Sequence, residues 1–275
     1  MELYQGIILG IIQGLTEFLP VSSSGHLVLG QIFFGITQSQ LPFDISVHMG
    51  TLLAVLVIYS SDIWAMLSSV FRFFLKAVSF KPISHLVNED ENLHLAGLIV
   101  IGSVPTAIIG LVLKQFEHVL FTSEVLVGFM LILTGTILWV SRNYYFSENK
   151  TKGLGIKNAV FIGVSQGLAV IPGISRSGTT IAVGMFLGLD RHTAAKFSFL
   201  LSIPAILGAQ ILSVKDMIDS GLTIDSITIY ATIASFITGL IALKILLTLV
   251  HSGRFHLFAP YCWLAGSLVL LSKII

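Results

Sequence analysis

Long apolar runs separated by short polar connections dominate the chain. Those over roughly 43–60, 93–114, 124–141, 197–214, 227–249 and 257–275 each approach the ~20 residues a helix needs to cross a bilayer, which predicts six transmembrane helices. The stretch 62–80 differs, because Arg72 and Lys76 stand four apart on one helical face. That pattern predicts an amphipathic helix lying in the membrane interface. Two further apolar segments, 3–35 and 156–189, are broken by Pro20, Pro172 and many glycines and serines. Broken backbone survives at membrane depth only where protein or a water-filled cavity satisfies it, so both segments are predicted to be re-entrant.

The two broken segments match each other. A shift of 153 residues superimposes Gly10, Gln13, Gly14, Leu15, Ser22, Ser24, Gly25, Phe33 and Gly35 on Gly163, Gln166, Gly167, Leu168, Ser175, Ser177, Gly178, Phe186 and Gly188. Chance would give roughly two or three identities in so biased a composition. The simplest reading is one membrane domain, 1–275, built from two repeats of about 1–153 and 154–275. Each repeat has one broken segment followed by three spans, and an odd number of spans between the copies inverts the second relative to the first, as in transporters whose sites form where two discontinuous segments meet. The fold class expected is therefore an all-α integral membrane protein with six spans and two re-entrant helix-loop segments.

Composition agrees. Hydrophobic residues make up 55% and charged residues 11% of the chain, and the mean hydropathy is +0.93, far from a soluble domain. A net charge of +1 gives no reason to expect nucleic acid as a partner, and the single Cys262 leaves no intramolecular disulfide to form. The first twenty residues lack a basic start and carry Glu17, unlike a cleaved signal peptide. The connections around 72–92 and 142–157 hold Arg72, Lys76, Lys81, Arg142, Lys150, Lys152 and Lys157, whereas 115–123 and 216–226 hold no lysine or arginine and carry Glu117, Asp216, Asp219 and Asp225. Basic loops stay inside, so both termini are expected outside, with the first broken segment entering from outside and the second, flanked by Arg191 and Lys196, from the cytoplasm.

Chemistry concentrates in the broken segments. Gln13 and Glu17 are four apart and share a helical face, and a carboxylate at membrane depth points to function unless it merely solvates at the interface. Beyond Pro20 stand Ser22, Ser23, Ser24, Gly25 and His26, where exposed amides before a helix attract anions and a histidine titrates near neutrality. In the second segment Gly173, Ser175, Arg176, Ser177, Gly178 and Thr180 combine a guanidinium fork with hydroxyls and adaptable backbone, as a phosphate cradle requires. The alternative for Arg176 is an ion pair with Glu17 that ties the two repeats together. His48, His85, His94, His118, His192, His251 and His256 show no metal-binding spacing, and His48 is kept only as an outer neighbour of the first site.

QGLTE at 13–17 and PGISRSGTT at 172–180, with SSSGH at 22–26, FDISVHMGTLLAV at 43–55 and KFSFLLSIPAILGA at 196–209, resemble the bacterial undecaprenyl pyrophosphate phosphatase family, also called bacitracin resistance proteins. The resemblance runs over essentially the whole chain. It implies a hydrolase of the bacterial plasma membrane that converts undecaprenyl pyrophosphate to undecaprenyl phosphate and recycles the lipid carrier for peptidoglycan. Glu17, Ser23, His26 and Arg176 are then the catalytic residues, with Gln13, Ser22, Ser24, Gly173, Ser175, Ser177 and Thr180 binding substrate. Gln13 stands where many members have glutamate. The resemblance also implies Mg²⁺ or Ca²⁺, for which Glu17 is the only strong oxygen ligand offered, so a cation would lean on the pyrophosphate itself. A homodimer is a further expected partner.

Ser23 or His26 could be the nucleophile, or His26 could activate a water; Ser23 is favoured because Glu17 and His26 flank it as bases. SSSGH and the SR dipeptide are also similar to motifs of the type 2 phosphatidic acid phosphatases, but Ala182 stands where that class needs its histidine. A lipid transporter with inverted repeats remains the alternative of a different class.

Overall fold

The computed structural model describes residues 1–36, 41–77, 90–116, 119–120, 123–144, 153–221 and 223–272, and these contain helices and no strand. Helices α1 (Leu3–Phe18) and α2 (Ser23–Phe33) form one hairpin. Among the described residues, five helices are long and apolar enough to cross a bilayer: α3 (Leu41–Ile58), α5 (Glu91–Lys114), α6 (Glu124–Ser141), α9 (Arg191–Asp219) and α10 (Ser226–His251). Between α6 and α9 lies a second hairpin, α7 (Ile156–Leu168) and α8 (Arg176–Phe186). The sixth expected span is shorter than its apolar run. A 3-10 turn, Phe255–Phe258, leads into α11 (Ala259–Leu271), whose 13 residues rise only about 20 Å. Residues 273–275 of that run lie outside the described ones.

Short polar residues start the long helices. Asp90 accepts from the N–H groups of Asn92 and Leu93, Ser123 from Leu126, Asp190 from Thr193 and Asp225 from Thr228, satisfying amides that have no partner within the helix. The Thr228 hydroxyl and N–H hold the Asp225 carboxyl below its ordinary range. Apolar side chains then face outward where lipid would lie. On α10, Ile229, Ile233, Ile237, Ile241 and Ile245 recur every four residues, each about half exposed. The predicted amphipathic segment is α4 (Ser60–Ala77), which exposes Trp64, Leu67, Phe71 and Phe74 while Ser69 is buried. Arg72 reaches Asp90 at 3.5 Å.

Small residues let the hairpins press against the long helices, since close backbone approach is the main packing device between helices in lipid. Along α1, Gly6 faces Ile227, Gly10 faces Ala231 and Gly14 faces Ser235 and Thr238, so α1 runs parallel to α10. Along α7, Gly163 faces Gly102 and Gly167 faces Ile109, so α7 runs parallel to α5. Lys114 and Asp216, paired at 2.7 Å, join the C-terminal ends of α5 and α9, and α10 starts just beyond Asp216. Thus α1 starts where α5 ends and α7 starts where α5 begins. The hairpins enter the bundle from opposite ends and meet in its middle.

The crossing at Gly163 is testable. A Cβ there would fall onto the Gly102 carbonyl, whereas at exposed Gly97 it would meet nothing. Gly163→Ala is expected to lower the thermal midpoint in detergent by an amount equivalent to about 1–3 kcal/mol of overpacking, and Gly97→Ala to leave it in place. Equal midpoints would contradict this packing.

Candidate active site

Proline ends the first arm of the first hairpin. Leu19, which precedes Pro20, is extended (ψ 139°) rather than helical, as the ring of a following proline demands. The chain then turns through Ser22, the one non-glycine residue with positive φ (71°) among the described residues. Its hydroxyl holds this uncommon conformation by accepting from the N–H groups of Gly173 at 3.1 Å and Gly25 at 3.4 Å. The repeat-related Ser175 caps α8 in the same way, accepting from Gly178 N–H at 3.1 Å. The two serines that superimpose in sequence are thus the N-caps of the two returning helices.

Further bonds lock the tips together. Ser177 Oγ donates to the Phe18 carbonyl at 2.8 Å, and Cys262 Sγ donates to the Pro20 carbonyl at 3.4 Å. Gly173 has φ 94°, and a Cβ there would strike the Val127 carbonyl and Met130, so glycine is required. Thr134 on α6 donates to the Gly173 carbonyl at 2.9 Å and accepts from the Ser175 N–H at 3.1 Å. Thr180 is likewise structural, donating to the Arg176 carbonyl at 2.7 Å and sharing a 2.6 Å bond with Ser198.

The junction holds one carboxylate. Glu17, its side chain 7% exposed, pairs through Oε1 with Arg176 Nη2 at 2.5 Å. Its Oε2 accepts from Ser23 Oγ at 2.7 Å and from Gln13 Nε2 at 2.9 Å, with His48 Nε2 at 4.0 Å. His48 is oriented by its Nδ1, 2.7 Å from the Asp44 carbonyl. Arg176 Nη1 is buried and has no partner, an unused donor beside a carboxylate already engaged. Ser23 and Arg176 each begin a helix, so two N-terminal ends with their uncompensated amides converge here. A cavity of about 500 Å³ opens on this junction. Glu17, Ser23, Ser24, His48, Ser175 and Arg176 line one end of it, and it continues between α5 and α9 past Ala107, Gly110, Ala205 and Gly208 to Lys114.

The predicted residues therefore divide. Glu17, Ser23, Ser24, Ser175 and Arg176 face the cavity and Gln13 supports Glu17, while Ser22, Gly173, Ser177 and Thr180 build the junction. His26 turns elsewhere: its Nδ1 lies 2.8 Å from the Ser22 carbonyl, and its Nε2 lies 2.6 Å from the hydroxyl of Tyr261, on which its ring stacks. Sequence reasoning gave no signal for Tyr261 or Thr134, which reach the site only through tertiary packing, and it placed His48 only at the margin. His192 and His251 stack on each other away from this site, and His85 and His118 lie outside the described residues.

A divalent cation held by the protein does not fit this donor set. Such ions need several oxygen ligands, and here the one carboxylate is engaged on both oxygens, one of them by a guanidinium that opposes a second positive charge. Among the described residues no three of His, Cys, Asp and Glu converge.

Comparison with known proteins is consistent over the full chain. Residues 6–268 match the family model described as bacitracin resistance protein BacA. The chain is 54% identical over 272 residues to an undecaprenyl-diphosphatase of Desulforapulum autotrophicum, covering 99% of each chain. It is 54% identical over 276 residues to one of Desulfosudis oleivorans, covering 98% of each, and 46% identical over 277 residues to one of Desulfatibacillum aliphaticivorans, covering 100% of each.

Proposed function

The chain belongs to the bacitracin resistance protein BacA family, and on that premise we propose that it is a membrane phosphatase that hydrolyses undecaprenyl diphosphate to undecaprenyl phosphate and inorganic phosphate. The lipid carrier is thereby returned to peptidoglycan and envelope synthesis, and the recycling confers bacitracin resistance. One observation carries the chemical part: a serine hydroxyl bonded to a buried carboxylate, beside a guanidinium with a free donor, at the meeting point of two helix N-termini.

Phosphoryl transfer needs an in-line nucleophile, a group to take its proton and positive charge around the phosphoryl oxygens. Ser23 Oγ attacks the terminal phosphorus while Glu17 Oε2 receives its proton, and the bond to the bridging oxygen breaks to release undecaprenyl phosphate. Arg176 Nη1 and the amides that open α2 and α8 hold the oxygens on which charge builds. Water then attacks the phosphoserine, the stored proton returns to Ser23 Oγ, and inorganic phosphate leaves. His26, engaged with Tyr261 rather than with Ser23 or Glu17, fixes the turn at Ser22 in this scheme. The active unit is expected to be a homodimer, which mass measurement in detergent would check.

In the membrane, the basic end of the bundle, with Arg72, Arg142, Lys157 and Arg191, is assigned to the cytoplasm, and the end with Asp216, Asp219 and Asp225 to the outside. Both termini then lie outside. Lys76 is described only in its backbone, and Lys81, Glu117, Lys150 and Lys152 lie outside the described residues. The cavity, which runs to Lys114 beside Asp216, opens outward in this arrangement.

Purified protein is expected to release phosphate from undecaprenyl diphosphate, and Arg176→Lys to be slowed by about 100-fold or more, nearly as much as Arg176→Ala, because a lysine cannot bridge the carboxylate and the phosphate together. Rapid quenching with terminally labelled substrate should trap an acid-stable adduct that vanishes in Ser23→Ala. An acid-labile adduct that persists in Ser23→Ala would move the nucleophile to His26. For orientation, cysteines introduced at the exposed positions Ile224 and Ser252 in a Cys262→Ser background should label from outside and inside respectively with a membrane-impermeant reagent. Labelling of both from one side would refute the assignment.

A further inference from the structure

The cavity has a second cation. Lys114, the last residue of α5, lines the same cavity as Arg176 at its other end. It lies eight residues beyond Thr106, which shares a hydrogen bond with Gln166 on the inner wall, and so about 12 Å farther along the helix axis. Its only ion pair among the described residues is with Asp216 on α9. Both side chains are well exposed, 39% for Lys114 and 49% for Asp216. An exposed single ion pair contributes little, because water competes with both partners. A phosphate group carries more than one negative charge and several acceptor oxygens, so it can take Asp216's place on the ammonium at small cost.

The surroundings give this exchange a purpose. The mouth of the cavity lies at the end of the bundle that carries Asp216, Asp219 and Asp225 against the single Lys215 beside them, and a rim with that excess of carboxylates repels an incoming anion. A lysine on the cavity wall reverses the local sign, and fields of this kind act on how often a charged ligand arrives. Between Lys114 and Arg176 the wall is mostly apolar and small, with open space beside Gly110 and Gly208, so the diphosphate meets no other cation among the cavity-lining residues on its way inward. We propose that Lys114 forms a staging site for the diphosphate head group, where the substrate displaces Asp216 from the ammonium before passing inward to Arg176. This rests on the phosphatase reading above and adds a binding residue to it; no covalent step involves Lys114.

The pair distinguishes a staging site from a mere clasp between α5 and α9. If Lys114 binds substrate, Lys114→Gln raises KM for undecaprenyl diphosphate by about five-fold or more, whereas Asp216→Asn, which frees the ammonium, lowers KM or leaves it as it was. If the pair only holds the helices together, both substitutions move KM in the same direction, and the proposal fails. Competition by inorganic pyrophosphate and by orthophosphate separates the arriving head group from the departing product. Weaker inhibition by pyrophosphate in Lys114→Gln is expected, and an effect on orthophosphate alone, with KM unchanged, would overturn the assignment to substrate. Absence of hydrolysis by the unsubstituted protein would instead sink the phosphatase reading itself.

Discussion

The ion pair between Glu17 and Arg176 is the constraint on which the rest of the junction depends. Each charge sits in the middle of an apolar bundle, where alone it would be very costly, and each belongs to a different hairpin. Neither hairpin can therefore hold its own tip stable without the other. The surrounding features answer to that need. Pro20 stops the first arm of its hairpin at the right depth, Ser22 and Ser175 restart the returning helices, and Gly173 allows the second tip to lie against α6 without a side chain in the way. The Gly173 N–H bond to Ser22 and the Ser177 bond to the Phe18 carbonyl use each tip to satisfy backbone and side-chain groups of the other.

The same pair has bonding capacity beyond what holding the two hairpins together requires. A buried ion pair with all its hydrogen-bonding capacity used would merely tie the repeats. Here Arg176 keeps one donor unpartnered, and Glu17 spends one bond on the hydroxyl of Ser23 rather than on a backbone group. A buried donor without a partner costs stability in the resting protein, and in the proposed reaction the phosphoryl oxygens supply that partner. The positive φ of Ser22 fits this picture, since strain is retained where surrounding contacts over-determine it.

Much of this was legible in the sequence, for local reasons. Proline followed by serine and glycine within an apolar run signals a broken helix wherever it occurs, and the 153-residue shift marked Ser22 and Ser175 as equivalent before either was seen to be an N-cap. Glu17 and Arg176 stood out because charges at membrane depth need partners. The contact of His26 with Tyr261 was not legible. His26 lies three residues from Ser23, but on the helix it faces Tyr261, which is 235 positions away in the chain. His48 approaches Glu17 because α3 packs beside α1, and nothing in its own surroundings announces that. How the last apolar helix begins, through the 3-10 turn Phe255–Phe258 and with Pro260 in its first turn, was not legible either, because hydropathy is blind to both.

The dependence of the two hairpins on a single charge pair can be measured directly with a double-mutant cycle on folding, using Glu17→Gln, Arg176→Gln and the combination in detergent-solubilised protein. Removing one partner strands the other charge, whereas removing both leaves a neutral junction, so the single variants should each lose several kcal/mol and the double variant should recover most of that loss. Recovery of stability without recovery of phosphate release is the expected result. A double variant whose loss equals the sum of the two single losses would show that the charges are not coupled and would contradict the junction described here.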